Sequence, residues 1–165
     1  MGETPAGAAV LWVLMMPLQT QIGSGLSPSD AYASIRGLAQ TAKNVAQNTL
    51  ASLQGGPVTT DFIFRLLDQL QFFISSVTAW KAVAGLDAYA TSLDYSGIMS
   101  ADCTTTISAA QVCVTWVSGN FPVDVGGWLL AYKLNADGTR TPNSFTSAQT
   151  LGLQTDLQAF IATIA

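Results

Sequence analysis

Residues 59–77, TTDFIFRLLDQLQFFISSV, decide the fold class of this chain. The large apolar side chains in this stretch recur every three or four residues, which places them on one face of a helix. They are Ile63, Leu66, Leu67, Leu70, Phe73, Ile74 and Val77. A stripe this wide and bulky is typical of a helix that faces a core. The stretch therefore predicts a core-facing helix, with Thr59 or Thr60 as its N-cap.

A second helix is predicted immediately before this one. Ser27 suits the N-cap, Pro28 suits the first helical position, and Asp30 favours the positive end of the helix dipole. Small or apolar side chains then alternate at spacings of four and three residues: Ala31, Ile35, Leu38, Ala42, Val45, Thr49 and Leu53. The sequence GGP at 55–57 ends the helix. So short a connection makes the two helices antiparallel neighbours.

The remaining sequence predicts three more helices and one hairpin. A short helix covers 86–93, and a longer one covers about 101–118. The core face of the longer helix carries Ile107, Ala110, Val114 and Val117. Residues 127–134 have a strand composition, and the NADG sequence at 135–138 is a strong turn signal before a short returning strand.

The last helix begins at a capping box formed by Thr146 and Gln149. Its core face carries Leu153, Leu157, Phe160, Ile161 and Ile164. The chain is therefore predicted to be mainly α, an antiparallel helical bundle with a short β-hairpin in its C-terminal half. We divide it into an apolar N-terminal arm and linker at 1–26 and a helical bundle domain at 27–165, with the hairpin near 128–142.

The chain is unusually poor in charge. Its 165 residues include six Lys and Arg, ten Asp and Glu and no His, for a net charge of −4. Charged residues make up 10 % of the sequence, against roughly 25 % in an ordinary soluble domain. The basic residues are scattered, which argues against nucleic acid as a partner. A chain with so little charge is expected to solvate its surface with Ser, Thr, Gln and Asn and to hold part of that surface against neighbouring proteins.

The first candidate contact segment is the apolar run AGAAVLWVLMMPL at 6–18. It is too short to span a membrane, which takes about 20 residues, and it lacks the basic start of a secretory signal. The side chains expected to make contacts are Leu11, Trp12, Leu14, Met15 and Met16. They can dock on a neighbouring subunit or pack on the chain's own bundle, and contact with a membrane surface is a third alternative.

The second candidate is one face of the predicted helix at 101–118. Thr104, Ser108, Gln111, Thr115 and Ser118 share this face, which is polar but carries no charge. Such a face suits a protein interface, because hydroxyl and amide groups cost less to desolvate than ions. A plain solvent-facing surface of a Ser/Thr-rich protein is the other interpretation, and the residues leave both open.

The sequence offers no recognisable catalytic chemistry. Histidine is absent, and no phosphate-binding loop, nucleophile elbow or metal-ligand cluster is present. Asp61 and Asp68 are expected to be solvated. Cys103 and Cys113 would lie about 15 Å apart along a helix, so we expect two buried thiols, with an intermolecular disulfide or a reactive thiol as the alternative. No catalytic, cofactor-binding or metal-binding residue is predicted, and we do not expect an enzyme.

Five segments carry a resemblance to a known group: PVTTDFIFRLLDQL at 57–70, VAGLDAYAT at 83–91, WVSGNFP at 116–122, LLAYKLNADGTRT at 129–141 and, after Phe145 and Thr146, AQTLGLQTDLQAFIATIA at 148–165. Over about residues 28–165 the chain resembles small uncharacterised proteins encoded in the virion-structure region of tailed bacteriophage genomes. The resemblance implies a virion component of the head, neck or tail, assembled in the bacterial host cytoplasm. Its partners would be other virion proteins and copies of itself. The apolar N-terminus departs from the pattern of the group.

Two other functions fit parts of the sequence. The mean hydropathy of +0.36 and the apolar run favour a membrane-associated small helical protein. A small ligand-binding or enzymatic helical domain, with an apolar pocket between its helices, is the third alternative.

Overall fold

The computed structural model describes residues 27–93, 103–122 and 130–164. Five helices follow one another along the chain: α1 (Pro28–Gly55), α2 (Thr60–Trp80), α3 (Leu86–Ser92), α4 (Cys103–Asn120) and α5 (Leu151–Ala162). Four short strands accompany them: β1 (Val58–Thr59), β2 (Tyr132–Leu134), β3 (Arg140–Pro142) and β4 (Ser144–Phe145). The described part of the chain is mainly helical, as predicted.

The ends of α1 follow the predicted signals. The Ser27 hydroxyl accepts a hydrogen bond from the backbone N–H of Asp30 at 3.2 Å, and Pro28 occupies the first turn. At the other end Gly56 has a φ of 152°, a backbone conformation that L side chains rarely adopt. The cap and the glycine therefore fix where α1 begins and ends.

Four helices form a closed ring in which each contacts two neighbours. α1 packs against α2, α2 against α4, α4 against α5, and α5 against α1. The Ser147 hydroxyl, just before α5, donates to the carbonyl of Gln54 at 3.4 Å, and the Lys43 ammonium donates to the carbonyl of Ile164 at 2.9 Å. These two contacts show that α5 runs antiparallel to α1. The bundle is antiparallel around the ring, as predicted.

The core lies inside this ring. The rings of Phe73 in α2 and Phe160 in α5 meet edge to face across it, with centroids 5.6 Å apart, and both side chains are fully buried. The short α3 packs on the first half of α1, where the rings of Tyr32 and Tyr89 lie 5.8 Å apart.

The buried face of α1 is wider than predicted. Val45 is half-buried, and the adjacent Ala46 is fully buried. Tyr32 and Ala39 are also buried. The reason is that α1 contacts α2, α3 and α5, so its buried surface covers more of the helix than a single seam. On α4 the predicted Ile107 is only partly buried, and Cys113 and Thr106 belong to the core face.

Two small antiparallel sheets lie at the end of the bundle where α1 ends and α2 begins. β2 and β3 form the predicted hairpin, with Tyr132 paired to Pro142 and Leu134 paired to Arg140. Gly138 in its turn has a φ of 85°, which glycine adopts without strain. The second sheet pairs β1 with β4 and was not predicted. The predicted start of the hairpin strand falls in 123–129, outside the described residues.

Two predicted helix starts differ in detail from the structure. Thr59 is the N-cap of α2 but makes no side-chain capping bond, and the Thr60 hydroxyl donates instead to the carbonyl of Leu130 at 3.1 Å. The capping box forms as predicted: the N–H of Thr146 donates to Gln149 Oε1 at 2.8 Å and the N–H of Gln149 donates to Thr146 Oγ1 at 3.2 Å. It caps one turn of 3₁₀ helix, Ala148–Thr150, and α5 follows.

Candidate interaction surfaces

The helix α4 carries no charged residue over its 18 positions. Its inner face is buried through Cys103, Thr106, Ala110, Cys113, Val114 and Val117. The five predicted contact residues, Thr104, Ser108, Gln111, Thr115 and Ser118, are all exposed. The structure therefore brings these five together on the outer side of one helix, where all of them are exposed.

α4 contacts Lys81, which follows α2, at one place and α5 at another. At its N-terminal end the Lys81 ammonium, which follows α2, donates to Thr104 Oγ1 at 2.6 Å. On another flank the indole of Trp116 lies directly against Gly152 of α5. Between these two contacts the outer side of α4 includes Val112, whose side chain is 51 % exposed.

The uncharged surface continues from α4 onto α5. Exposed positions of α5 are Leu151, Thr155, Gln158, Ala159 and Ala162, none of which is charged. Asp156 is the one charged residue of α5; it is half-buried, and burial raises the pKa of its carboxyl group. We define the uncharged α4–α5 surface as Thr104, Ser108, Gln111, Val112, Thr115, Ser118, Leu151, Thr155, Gln158 and Ala159.

The other side of the bundle is charged. Exposed charged residues of α1, α2 and α3 are Asp30, Arg36, Asp61, Arg65, Asp68 and Asp87. The scarcity of charge in the composition is therefore concentrated on the α4–α5 side of the bundle. A helix face in water ordinarily carries Lys and Glu, so this asymmetry marks the α4–α5 surface as the candidate for a protein contact.

The hairpin provides a second exposed surface. Every residue of β2 and β3 is exposed. Leu130, Tyr132 and Leu134 are 38 %, 51 % and 70 % exposed. Tyr132 and Leu134 are alternate residues of β2 and lie on the same side of it, and Leu130 comes two residues before the strand. We call these three residues the hairpin stripe. They are not among the predicted contact residues, although the alternation in LAYKL is a visible signal of a shared face.

The base of the hairpin is firmly attached to the bundle. The ring of Phe145 in β4 lies 4.2 Å from that of Phe121, which meets Trp116 edge to face at 5.5 Å. The Asn143 side-chain amide donates to the carbonyl of Leu130 at 2.7 Å, and the N–H of Thr60 donates to the carbonyl of Asn143 at 3.3 Å. These contacts hold the hairpin at a fixed place on the bundle while its strands extend into solvent.

Both cysteines of α4 are buried. Burial raises the pKa of the Cys113 thiol to about 12, and the nearby carboxylate of Asp156 acts in the same direction, while a backbone hydrogen bond acts against them. Because the thiolate is the reactive form, Cys113 is suited to packing. Within the described ranges, no group of three metal-ligating side chains comes together.

The predicted arm residues Leu11, Trp12, Leu14, Met15 and Met16 lie outside the described residues, so their role stays a prediction. The arm joins the bundle at Ser27, where α1 begins, and the hairpin lies at the end where α1 finishes. A helix of 28 residues is about 42 Å long. The start of α1 and the hairpin therefore lie at opposite ends of the bundle.

None of the helices in the described ranges is long and apolar enough to cross a membrane. Comparison of the chain with protein-family models, curated proteins and solved structures gave no match.

Proposed function

We propose that this chain is a structural subunit of a tailed-phage virion, a component of the head, neck or tail that acts through protein–protein contacts. Its partners would be other virion proteins and copies of itself. The observation that carries the proposal is the uncharged α4–α5 surface. The resemblance over about residues 28–165 supplies the phage setting.

The chemistry of the α4–α5 surface favours a lasting contact. Burial of Ser, Thr and Gln side chains in an interface costs little free energy when a partner satisfies their hydrogen bonds. Burial of an ion costs on the order of several kcal/mol. Val112 and Leu151 are 51 % and 60 % exposed, and they add apolar area worth about 25 cal/mol per Å² before the cost of association. The charged side formed by α1, α2 and α3 would lie away from this contact.

The predicted arm would add a second contact. The described residues bury a core among themselves, centred on Phe73 and Phe160. Deletion of residues 1–18 is therefore expected to leave a folded bundle that no longer assembles. Incorporation of the truncated chain into particles at the wild-type level would contradict a role for the arm.

Incorporation into particles tests the α4–α5 surface directly. The chain, carrying an epitope tag, is expressed during infection by the phage that encodes it, and purified particles are probed for the tag. The double variant Gln111→Lys/Thr115→Lys adds two cations one turn apart on the exposed side of α4. The control Gln40→Lys/Asn44→Lys adds the same pair on the exposed side of α1, where these two side chains hydrogen-bond to each other.

We expect the α4 variant to be lost from particles and the α1 control to be retained. Retention of both would contradict the assignment of the surface. Absence of the wild-type chain from particles would contradict the virion setting, and strong co-sedimentation of the purified chain with liposomes would then favour the membrane-associated alternative.

A further inference from the structure

The hairpin stripe is exposed to an extent that calls for a partner. Leu134 is the most exposed large apolar side chain of the described residues, at 70 %. On β3, Pro142 pairs with Tyr132 and Arg140 pairs with Leu134, and directly paired residues share a face of the sheet. The stripe therefore presents apolar side chains and one cation. An isolated two-stranded hairpin is only marginally stable in water, and a covering partner would stabilise it.

Pairing through the hairpin edge is disfavoured. Lys133 is the central residue of β2. A two-fold pairing of β2 with β2 of another copy, centred on this residue, would place two lysines directly opposite each other. A lysine in the middle of an edge strand is a common protection against such pairing. Contact is therefore expected through the face that carries the stripe.

The charges of the chain favour another copy of it as the partner. Residues 130–143 hold Lys133, Arg140 and Asp137, a net charge of +1, so the rest of the chain, whose total is −4, has a net charge of −5. Asp137 is already bonded within the turn, where it accepts from the N–H and the hydroxyl of Thr139 at 2.9 and 2.6 Å. The hairpin thus offers cations to an otherwise acidic molecule.

One place on the described surface combines an exposed large apolar side chain with an exposed carboxylate one turn away. Phe72 of α2 is 39 % exposed, and Asp68, four residues earlier, is exposed on the same side of the helix. Asp61 and Arg65 continue this face toward the start of α2. Val112 and Leu151, the other large exposed apolar side chains beyond the hairpin, have no charged residue at these spacings.

We propose that the hairpin stripe of one copy docks against Phe72 of a second copy, with Arg140 facing Asp68. The inference rests on the proposed function, a subunit present in several copies, and names one surface through which the copies meet. Because the two surfaces differ, a single contact of this kind leaves one free surface on each copy and leads to a ring or an open filament, whereas two reciprocal contacts close a two-fold dimer.

Sedimentation velocity of the purified full chain over a wide concentration range, at low ionic strength, tests this contact. The wild type is expected to self-associate. Leu134→Ser is expected to weaken association about tenfold or more, since it removes the most exposed apolar side chain of the stripe. The variants lie on exposed positions, and an unchanged helical circular dichroism spectrum and melting temperature show that they fold.

A charge exchange identifies the partner surface. Arg140→Asp and Asp68→Arg should each weaken association by a few-fold, and the chain carrying both changes should recover it. Lys133→Asp makes the same charge change on the other face of the hairpin, so it should leave association close to the wild-type value.

Three results would overturn the inference: a wild type that remains monomeric, equal losses for Lys133→Asp and Arg140→Asp, or no recovery in the doubly changed chain. These failures are separable from those of the proposed function. Any one of these three results, together with normal incorporation of the chain into particles, contradicts the inference alone. Absence of the chain from particles, with the charge exchange intact, contradicts the proposed function alone.

Discussion

Substitution of Gly152 by Ala tests how α4 and α5 are packed. A Cβ atom built at Gly152 would lie 2.7 Å from Cε2 and 3.1 Å from Cδ1 of Trp116, and closer still to its indole nitrogen. The Trp116 ring also meets Phe121, which lies on Phe145 at the base of the hairpin. The added methyl group must therefore displace a side chain that links the bundle to the hairpin.

The expected change in the free energy of unfolding is the sum of one stabilising and two destabilising contributions. Replacement of glycine by alanine in a helix stabilises it by up to about 1 kcal/mol. Overpacking a well-filled contact costs about 1–3 kcal/mol, and loss of an edge-to-face aromatic pair costs about 0.5–1.5 kcal/mol. We expect Gly152→Ala to lower the free energy of unfolding by about 1–3 kcal/mol, which corresponds to a fall of about 5 °C in Tm.

Gly37 provides a matched control for the Gly152 substitution. It lies in α1, it is exposed, and nothing lies within 4 Å of the position a Cβ atom would take. Gly37→Ala should therefore raise the free energy of unfolding by about 0.5–1 kcal/mol. Urea unfolding followed by circular dichroism measures both variants against the wild type.

The opposite signs are the decisive result. If Gly152→Ala stabilises the protein as much as Gly37→Ala, the contact between Trp116 and α5 is wrong. A double-mutant cycle sharpens the test: in a Trp116→Ala background the methyl group has space, so Gly152→Ala should lose its destabilising effect.

Three further substitutions have expected outcomes. Burial raises the pKa of the Cys113 thiol in the folded state to about 12, against an ordinary value of 9.0. The thiol of the unfolded chain therefore ionises first as pH rises. The free energy of unfolding should fall between these two pKa values by up to about 1.4 kcal/mol per pH unit. Cys113→Ala should remove that part of the decline; an identical pH profile of urea unfolding for both proteins would contradict the assignment. Phe160→Ala should lower the free energy of unfolding, measured with urea, by about 3–5 kcal/mol, because it leaves a cavity beside Phe73. A loss below about 1 kcal/mol would contradict the position of Phe160 in the core. Ser27→Ala should cost about 1 kcal/mol, whereas Ser52→Ala, at an exposed position near the end of the same helix, should not lower stability in the same assay.

The helices were predictable because each carries local signals of its own. Ser27 and Pro28 define the start of α1, and the bulky stripe from Ile63 to Val77 defines the inner face of α2. These signals depend on neighbours three or four residues away, so they survive without knowledge of the tertiary structure. The antiparallel order then follows from the short connection between α1 and α2.

Features that depend on distant contacts were less accessible. The predicted seam of α1 alternates spacings of four and three residues, and this repeat differs slightly from the true helical period. The predicted seam therefore drifts around the helix and includes Val45, whereas the structure buries Ala46. β1 and β4 are each two residues long, and the paired residues Val58 and Phe145 are 87 positions apart in the chain. No periodicity exists in so short a strand, and only the folded bundle brings the two segments together.

In the candidate surfaces, too, helical spacing was predictable from the sequence and coverage by distant parts of the chain was not. The exposed positions of Thr104, Ser108, Gln111, Thr115 and Ser118 follow from helical spacing, so the structure places all five where the sequence predicted them. Their binding of a partner stays a prediction. For Leu130, Tyr132 and Leu134 the sequence shows that alternate residues share a face, but it does not show whether another part of the chain covers that face.

The order of the ring has a consequence for how the chain reaches its folded state. Three of its contacts, α1 with α2, α2 with α4 and α4 with α5, join helices that follow one another once the short α3 is set aside. The contact of α1 with α5 joins segments that are distant in the chain, with 93 positions between Gln54 and Ser147 and 121 between Lys43 and Ile164. Loop closure of that length is entropically costly. We expect α5 to dock last, so that Phe73 stays uncovered until Phe160 arrives. A nascent chain halted before residue 151 would then expose its core to chaperones and to aggregation.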